Sequence, residues 1–280
     1  MEPGLETTPA GSRHDADGRG EAARGKRFGA LVPALAALGV TPDMVSWAGL
    51  FLALACGACL AVGASHTLPL FGAGEDASWW PFLAGLFLGA SALADLLDGD
   101  LARARGRPSR FGALLDSTLD RFGDAAILGG CALHFAAQGN VTYVLLVIVG
   151  ITVTIQVSYV KARAENLGPM PSGTRSVGYW QRGERMVTLL CGAFMGHVPA
   201  ALWMTAVFPF ATVWGRVREG RRRIEARESG EAPPPASRFL VRNSPLYLAT
   251  CASLVVLLAL MPRVPLFRGS ADPLGALFGN

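Results

Sequence analysis

The sequence predicts an all-α protein, a polytopic bundle of helices held in a membrane. Three observations carry this: of 280 residues 51% are hydrophobic, only 16% are charged, and the apolar residues gather into runs near the ~20 that a bilayer-crossing helix needs. A mean hydropathy of +0.36 with so little charge excludes an ordinary water-soluble enzyme. A formal net charge of +4 excludes a polycation that wraps nucleic acid, so no nucleic-acid partner is expected. Cys56, Cys59, Cys131, Cys191 and Cys251 all lie in apolar runs and are odd in number, which reads as small core residues rather than a disulfide framework. The histidines, at 14, 66, 134 and 197, have no metal-ligand spacing.

The elements follow in order. Residues 1–24 are polar and of mixed charge, form no signal peptide, and are expected to be a disordered cytoplasmic tail. Residues 25–40 are expected to hold a juxtamembrane amphipathic helix: Phe28, Leu31, Val32 and Leu35 fall on one face behind Lys26 and Arg27. Thr41 suits an N-cap and Pro42 the first turn of the first span. Spans are predicted near 44–64, 79–102, 111–136, 141–163, 184–197, 199–215 and 245–261, the fifth being the shortest. A transmembrane domain over 41–218 is thus followed by a basic linker over 219–243, rich in proline and charge. Residues 244–280 supply an extra seventh span and a short outer tail.

The basic residues set the orientation, because they favour the cytoplasmic ends of spans. They fill the N-terminal segment and the segments after spans two, four and six, while the segments around 65–78, 137–140 and 197–199 contain none. Only Arg263 and Arg268 fall on the far side, and Arg121 lies within a span. The alternation requires 184–215 to be two helices, because a single merged span would put eight arginines outside. The N-terminus is then inside and the C-terminus outside.

Six acids lie in or beside spans two and three: Asp95, Asp98, Asp100, Asp116, Asp120 and Asp124. Acids at membrane depth are costly and mark functional sites. Asp95 and Asp98 are three apart and Asp116 and Asp120 four apart, so each pair points from one helical face. With the two spans antiparallel neighbours, the faces converge at one cytoplasmic depth, where four carboxylates repel unless a cation lies between them. Hard oxygen ligands suit Mg2+ or Mn2+ rather than zinc. Gly99 and Gly112 remove side chains beside the acids, and Arg103 is placed to meet a phosphate, so a metal-bound phosphorylated substrate and phosphoryl transfer are indicated. Asp100 and Asp124 read equally well as partners of nearby arginines at headgroup level. A cation transporter is the competing class, but it expects acids near the bilayer centre on broken helices, whereas these gather at one surface.

Read as a string, Asp95-x2-Asp98-Gly99-x2-Ala102-Arg103-x8-Gly112-x3-Asp116-x3-Asp120 resembles the signature of the CDP-alcohol phosphotransferase (phosphatidyltransferase) family at every fixed position. The resemblance implies six transmembrane helices after a surface helix, matching residues 27–215 and leaving the seventh span outside the pattern. It implies a two-metal site of Mg2+ or Mn2+ on Asp95, Asp98, Asp116 and Asp120, with Asp120 also the general base. Gly99, Ala102, Arg103 and Gly112 would contact the CDP moiety. The segments Ser158–Glu165, Gln181–Arg185 and Gly215–Val217, with GALLDSTLDR at 112–121, resemble bacterial phosphatidylinositol-phosphate synthases. That likeness implies CDP-diacylglycerol as lipid donor and inositol phosphate as acceptor, its phosphate held by Lys161, Arg182 and Arg216. Glycerol phosphate remains the nearest rival acceptor, and a CDP-choline or CDP-ethanolamine arrangement a second. A homodimer in the bacterial inner membrane, its site facing the cytoplasm, is expected on the same ground.

Overall fold

The structure, a computed structural model, describes residues 29–70, 77–105, 109–167, 180–230 and 245–278. The expected 1–24 tail, the first part of the surface helix, Arg175 and the linker from 231 to 243 lie outside the described residues. The described chain is helical throughout, with one isolated bridge between Thr67 and Ala77. A short helix α1 (Leu31–Ala37) leads into α2 (Pro42–Gly63), α3 (Trp80–Ala104), α4 (Arg110–Ala137) and α5 (Val141–Leu167). Then come α6 (Arg182–Met195), α7 (Val198–Val207), α8 (Pro209–Glu228), α9 (Pro245–Leu260) and, after two 3-10 turns, α10 (Pro273–Phe278).

The starts and stops are written in the sequence. Thr41 accepts the Met44 amide at 3.2 Å with Pro42 in the first turn, and Ser109 accepts the Gly112 amide at 2.8 Å to open α4. Gln181 and Glu184 form a capping box, the Glu184 carboxylate accepting the Gln181 amide at 3.0 Å. At the other end of α6, Gly196 takes φ 68°, a left-handed cap favouring glycine, so 182–207 is two helices rather than one.

Four described segments are long and apolar enough to cross a membrane: Pro42–Gly63, Trp80–Ala104, Val141–Ala164 and Val198–Glu228. The predicted third span, α4, falls short of that measure because Asp120, Arg121 and Asp124 sit in its length, and α6 and α9 fall short at 14 and 16 residues. The sixth span was expected to end at 215 and a linker to begin at 219. Instead the helix, broken at Phe208 where Pro209 lacks an N–H, runs on to Glu228. Arg223–Glu219 and Arg221–Glu225 ion pairs, one turn apart at 2.7 and 2.6 Å, support this last stretch.

Packing corrects a second expectation. The two acid-bearing helices were read as direct neighbours, but α3 and α4 each pack mainly along α2. Glycine makes this possible: a Cβ on Gly130 would lie 2.0 Å from the Gly57 carbonyl oxygen, and one on Gly57 2.3 Å from that of Ala126. Backbone therefore meets backbone between α2 and α4, the close approach that small residues permit inside membranes. On the other side Ser91 donates to the Gly49 carbonyl at 2.9 Å, joining α3 to α2. α2 is the spine of the bundle, and a cleft opens between α3 and α4 at its N-terminal end, the end that the arginine distribution predicts to face inward.

At the opposite end, the one predicted to face outward, the chain after α9 is clasped to the start of α5. Asp272 accepts the amides of Val141 and Thr142 at 3.0 and 2.9 Å and the Thr142 hydroxyl, Asn140 donates to the Gly269 carbonyl at 3.0 Å, and Tyr143 donates to that of Leu266 at 2.6 Å. These bonds, the Thr142 hydroxyl foremost, hold the Asp272 carboxyl down at about 2, so the clasp keeps its charge until pH falls through that value.

Gly130→Val should remove folded monodisperse protein or cut its thermal stability in detergent by about 3 kcal/mol or more. Gly129→Ala, at a position with nothing within 4 Å, should leave the melting temperature within about a degree of wild type. Equal melting temperatures for both variants would contradict the α2–α4 contact.

Candidate active site

The cleft at the inner end of α2 is walled by all three helices around it. Ser46, Gly49, Leu50 and Ala53 line it from α2, Ser91, Asp95 and Asp98 from α3, and Asp116, Leu119, Asp120 and Gly123 from α4, with Arg182 entering from α6. Helical spacing puts Asp95 and Asp98 on one face and Asp116 and Asp120 on another, and the shared packing on α2 turns those faces toward each other. Asp95, Asp98 and Asp116 each offer a carboxylate oxygen, all within 4.8 Å of one another. Three hard anionic donors so close fit a divalent cation of the Mg2+ or Mn2+ kind, and the chemistry of the set gives no soft ligand for zinc.

Asp120 lies in the same cleft but outside that trio, held at 2.9 Å by Arg182. Arg182 also reaches Asp95 at 3.1 Å and Asp124 at 3.4 Å. It is aimed by the capping box, which sets Arg182 as the first residue of α6, and by Trp180, whose amide donates to the Thr212 hydroxyl of α8 at 3.1 Å. One turn on, Arg185 donates to Asp124 at 2.9 Å, both groups buried. Asp124 is thus the counter-ion of two arginines, and Asp100 pairs closely with Arg103. These two acids are salt-bridge partners, one of the two readings their sequence positions allowed.

Of the residues expected at the CDP moiety, Gly99 and Gly112 behave differently. A Cβ on Gly99 would only touch the Arg103 guanidinium at 3.5 Å, whereas one on Gly112 would lie 2.8 Å from the Ser109 hydroxyl that caps the helix. Ala102 and Arg103 sit on the last turn of α3, and Arg105 ties that end to the Val40 carbonyl at 2.7 Å. The three cations expected at the acceptor are not gathered equally. Arg182 is in the cleft, Arg216 is buried on α8 with its guanidinium on the Val157 carbonyl of α5, and Lys161 is exposed near the end of α5.

Two contributors escaped the sequence reading. Ser46 donates to Asp98 at 2.7 Å, and Arg185 holds Asp124. A small hydroxyl one turn after the Thr41–Pro42 cap is a usable signal for the first. The second needed the fold, since 61 residues separate Arg185 from its partner.

Comparison with known proteins decides what this cleft belongs to. The family model described as CDP-alcohol phosphatidyltransferase matches residues 39–213, from just before α2 into α8. The chain belongs to the CDP-alcohol phosphatidyltransferase family. It is 36% identical over 191 residues to the archaetidylinositol phosphate synthase of Pyrococcus horikoshii, covering 68% of this chain and 89% of that one. It is likewise 36% identical over 211 residues to the phosphatidylinositol phosphate synthase of Mycolicibacterium smegmatis, covering 70% and 86%. Among solved structures it resembles Mycobacterium tuberculosis phosphatidylinositol phosphate synthase with CDP-DAG bound, at TM-score 0.54 and 29% identity, over 67% of this chain and 90% of that one. The same enzyme in complex with manganese and citrate matches at TM-score 0.52 and 27% identity, over 67% and 86%. This CDP-alcohol phosphatidyltransferase is accordingly a transferase and an integral membrane protein, and its acidic cluster can hold a divalent metal.

Ser46→Ala should weaken Mn2+ binding about tenfold, measured by titration calorimetry on the purified protein, because a partner that orients a ligating carboxylate is worth roughly that much. Unchanged affinity would remove Ser46 from the site.

Proposed function

We propose that this phosphatidyltransferase moves the phosphatidyl group of CDP-diacylglycerol onto inositol phosphate and releases CMP. The observation that carries the reading is the meeting of Asp95, Asp98 and Asp116 within 4.8 Å, with Asp120 and a guanidinium in the same cleft. The relatives add two supports. Their names share inositol phosphate while differing in the lipid part, and a similar structure holds CDP-DAG.

In this reading Asp95, Asp98 and Asp116, with Asp120, hold two divalent ions, Mg2+ or Mn2+, which when bound neutralise the diphosphate and stabilise the charge that develops on it. Gly99, Ala102, Arg103 and Gly112 line the CDP side. Asp120 takes the proton of the acceptor hydroxyl as that oxygen attacks the phosphorus on the lipid side, and the bond to CMP breaks. Arg182 serves this step by its place. Its present bonds to Asp120 and Asp95 hold both side chains in the cleft, and an anionic acceptor gives the guanidinium an alternative partner. Lys161, Arg182 and Arg216 would make the cationic approach for the acceptor phosphate. The basic residues toward the ends of α3, α5 and α8 lie at the same end as the cleft, which supports a site facing the cytoplasm of a bacterial inner membrane. A homodimer completes the proposal, on the resemblance alone.

The domain boundaries belong to the same reading: a surface helix over 25–40, a catalytic unit over 41–218, and a linker and further span after it. Purified protein with Mg2+ or Mn2+ should release CMP from CDP-diacylglycerol with inositol phosphate at least about tenfold faster than with inositol, glycerol phosphate or serine. Preference for glycerol phosphate would replace the acceptor, and release with none of them would contradict the reaction. Asp120→Asn should keep CDP-diacylglycerol binding and lower turnover by about a hundredfold or more, and retained turnover would remove Asp120 as the base.

A further inference from the structure

A second cavity, of about 480 Å3, adjoins the carboxylate cleft. Ser91, Asp95 and Arg182 line both spaces, so the two meet at these side chains. Beyond that polar mouth the lining turns apolar, with Leu88, Leu96 and Ile127 on one side and Met186 and Leu190 on another. From Arg182 to Cys191 the α6 wall rises about 13 Å, at 1.5 Å per residue, away from the inner end and into the depth of the bundle. The remaining wall is α9, the helix that lies beyond the 39–213 match of the family.

α9 presents Cys251, Leu254 and Leu258 to the cavity, joined by Val255. Cys251, Leu254 and Leu258 are the residues of 251–260 that are not exposed, at the three- and four-residue steps of one helical face. The face away from them, including Val256, Leu257 and Leu260, is exposed and apolar, as lipid contact requires. Downstream, the Asp272 and Asn140 bonds fasten the following chain to α5, and Phe267 meets Trp203 edge-on at 5.7 Å. An added helix pinned at its outer end and lying over an apolar cavity is a fixed wall.

We propose that α9 closes the bilayer side of a compartment that takes an acyl chain of the CDP-lipid, and that Leu254 and its neighbours set the chain length accepted. This rests on the phosphatidyl-transfer reading for the identity of the lipid. The occupant follows from the shape of the space. Its polar end carries Asp95 and Arg182, part of the cluster proposed to handle a diphosphate headgroup, and the rest of its lining is mainly apolar, with Thr188 and Glu184 the polar exceptions on α6. A ligand charged at one end and hydrocarbon at the other satisfies both parts, and 480 Å3 lies in the usual range for such a site, about 300–1,000 Å3.

The test uses the full chain in nanodiscs. The ratio of kcat/KM for dioleoyl to dioctanoyl CDP-diacylglycerol should fall about tenfold in Leu254→Trp, which fills the cavity, and should hold or rise in Leu254→Ala, which enlarges it. The ratio reads selectivity, so a general loss of active protein does not move it. In parallel, CDP-diacylglycerol carrying a diazirine near the end of one acyl chain should label the peptide spanning 251–258. An unchanged ratio in Leu254→Trp, or label confined to other helices, overturns the wall. Label on 251–258 without CMP release by wild type would sustain the wall and overturn the transfer reaction instead.

Discussion

Asp95, Asp98 and Asp116 bring carboxylate oxygens within 4.8 Å of each other, and at an effective dielectric constant of 20 two like charges 4 Å apart repel by about 4 kcal/mol. The inner end of the bundle is organised to hold that repulsion in place. Gly57 and Gly130 let α4 settle backbone to backbone on α2, which fixes one acid face. Ser91 on the Gly49 carbonyl fixes the other. Ser46 donates to Asp98, and Arg182 lies between Asp95, Asp120 and Asp124. Each of these contacts costs little alone, but removing a partner from a buried charge leaves that charge uncompensated. A cleft so built can hold a divalent cation, because its acids outnumber the guanidinium groups paired with them.

Much of this was legible in the sequence, because hydrocarbon solvent forces the pattern. Thr41–Pro42 marked the start of α2, and the arginine distribution required two helices across 184–215, which Gly196 then separates. Scarce acids in apolar runs singled out Asp95, Asp98, Asp116 and Asp120 without any coordinates. What periodicity cannot give is which helix lies between which. The two acid faces meet through α2 rather than by direct contact, and the signal for that arrangement, a glycine in each of two distant helices, is visible only once they cross. Arg185 escaped for the same reason, as its partner is 61 residues away along the chain, whereas Ser46 left a local signal one turn after the Thr41–Pro42 cap. The continuation of α8 to Glu228 escaped because its stability comes from ion pairs one turn apart rather than from apolar pattern.

The family assignment and the geometry divide the work of explanation. The matched region, 39–213, contains every residue that lines the carboxylate cleft, Arg182 included. Among the described residues, the chain after it adds no side chain to the lining of that cleft, yet α9 lies along α6 over the neighbouring cavity. Chemistry at the mouth and selectivity along the body are thereby carried by different segments, so the second can change while the first stays fixed.

The central claim is that the three converging carboxylates form a divalent-metal site. Crystals of the protein grown with Mn2+ test it through the anomalous signal at the manganese edge. The account predicts a peak among the carboxylates of Asp95, Asp98 and Asp116 at the inner end of α3 and α4, lost in Asp98→Asn crystals. A well-ordered cleft without an anomalous peak, with Arg182 still bridging Asp95 and Asp120 at saturating Mn2+, would contradict it.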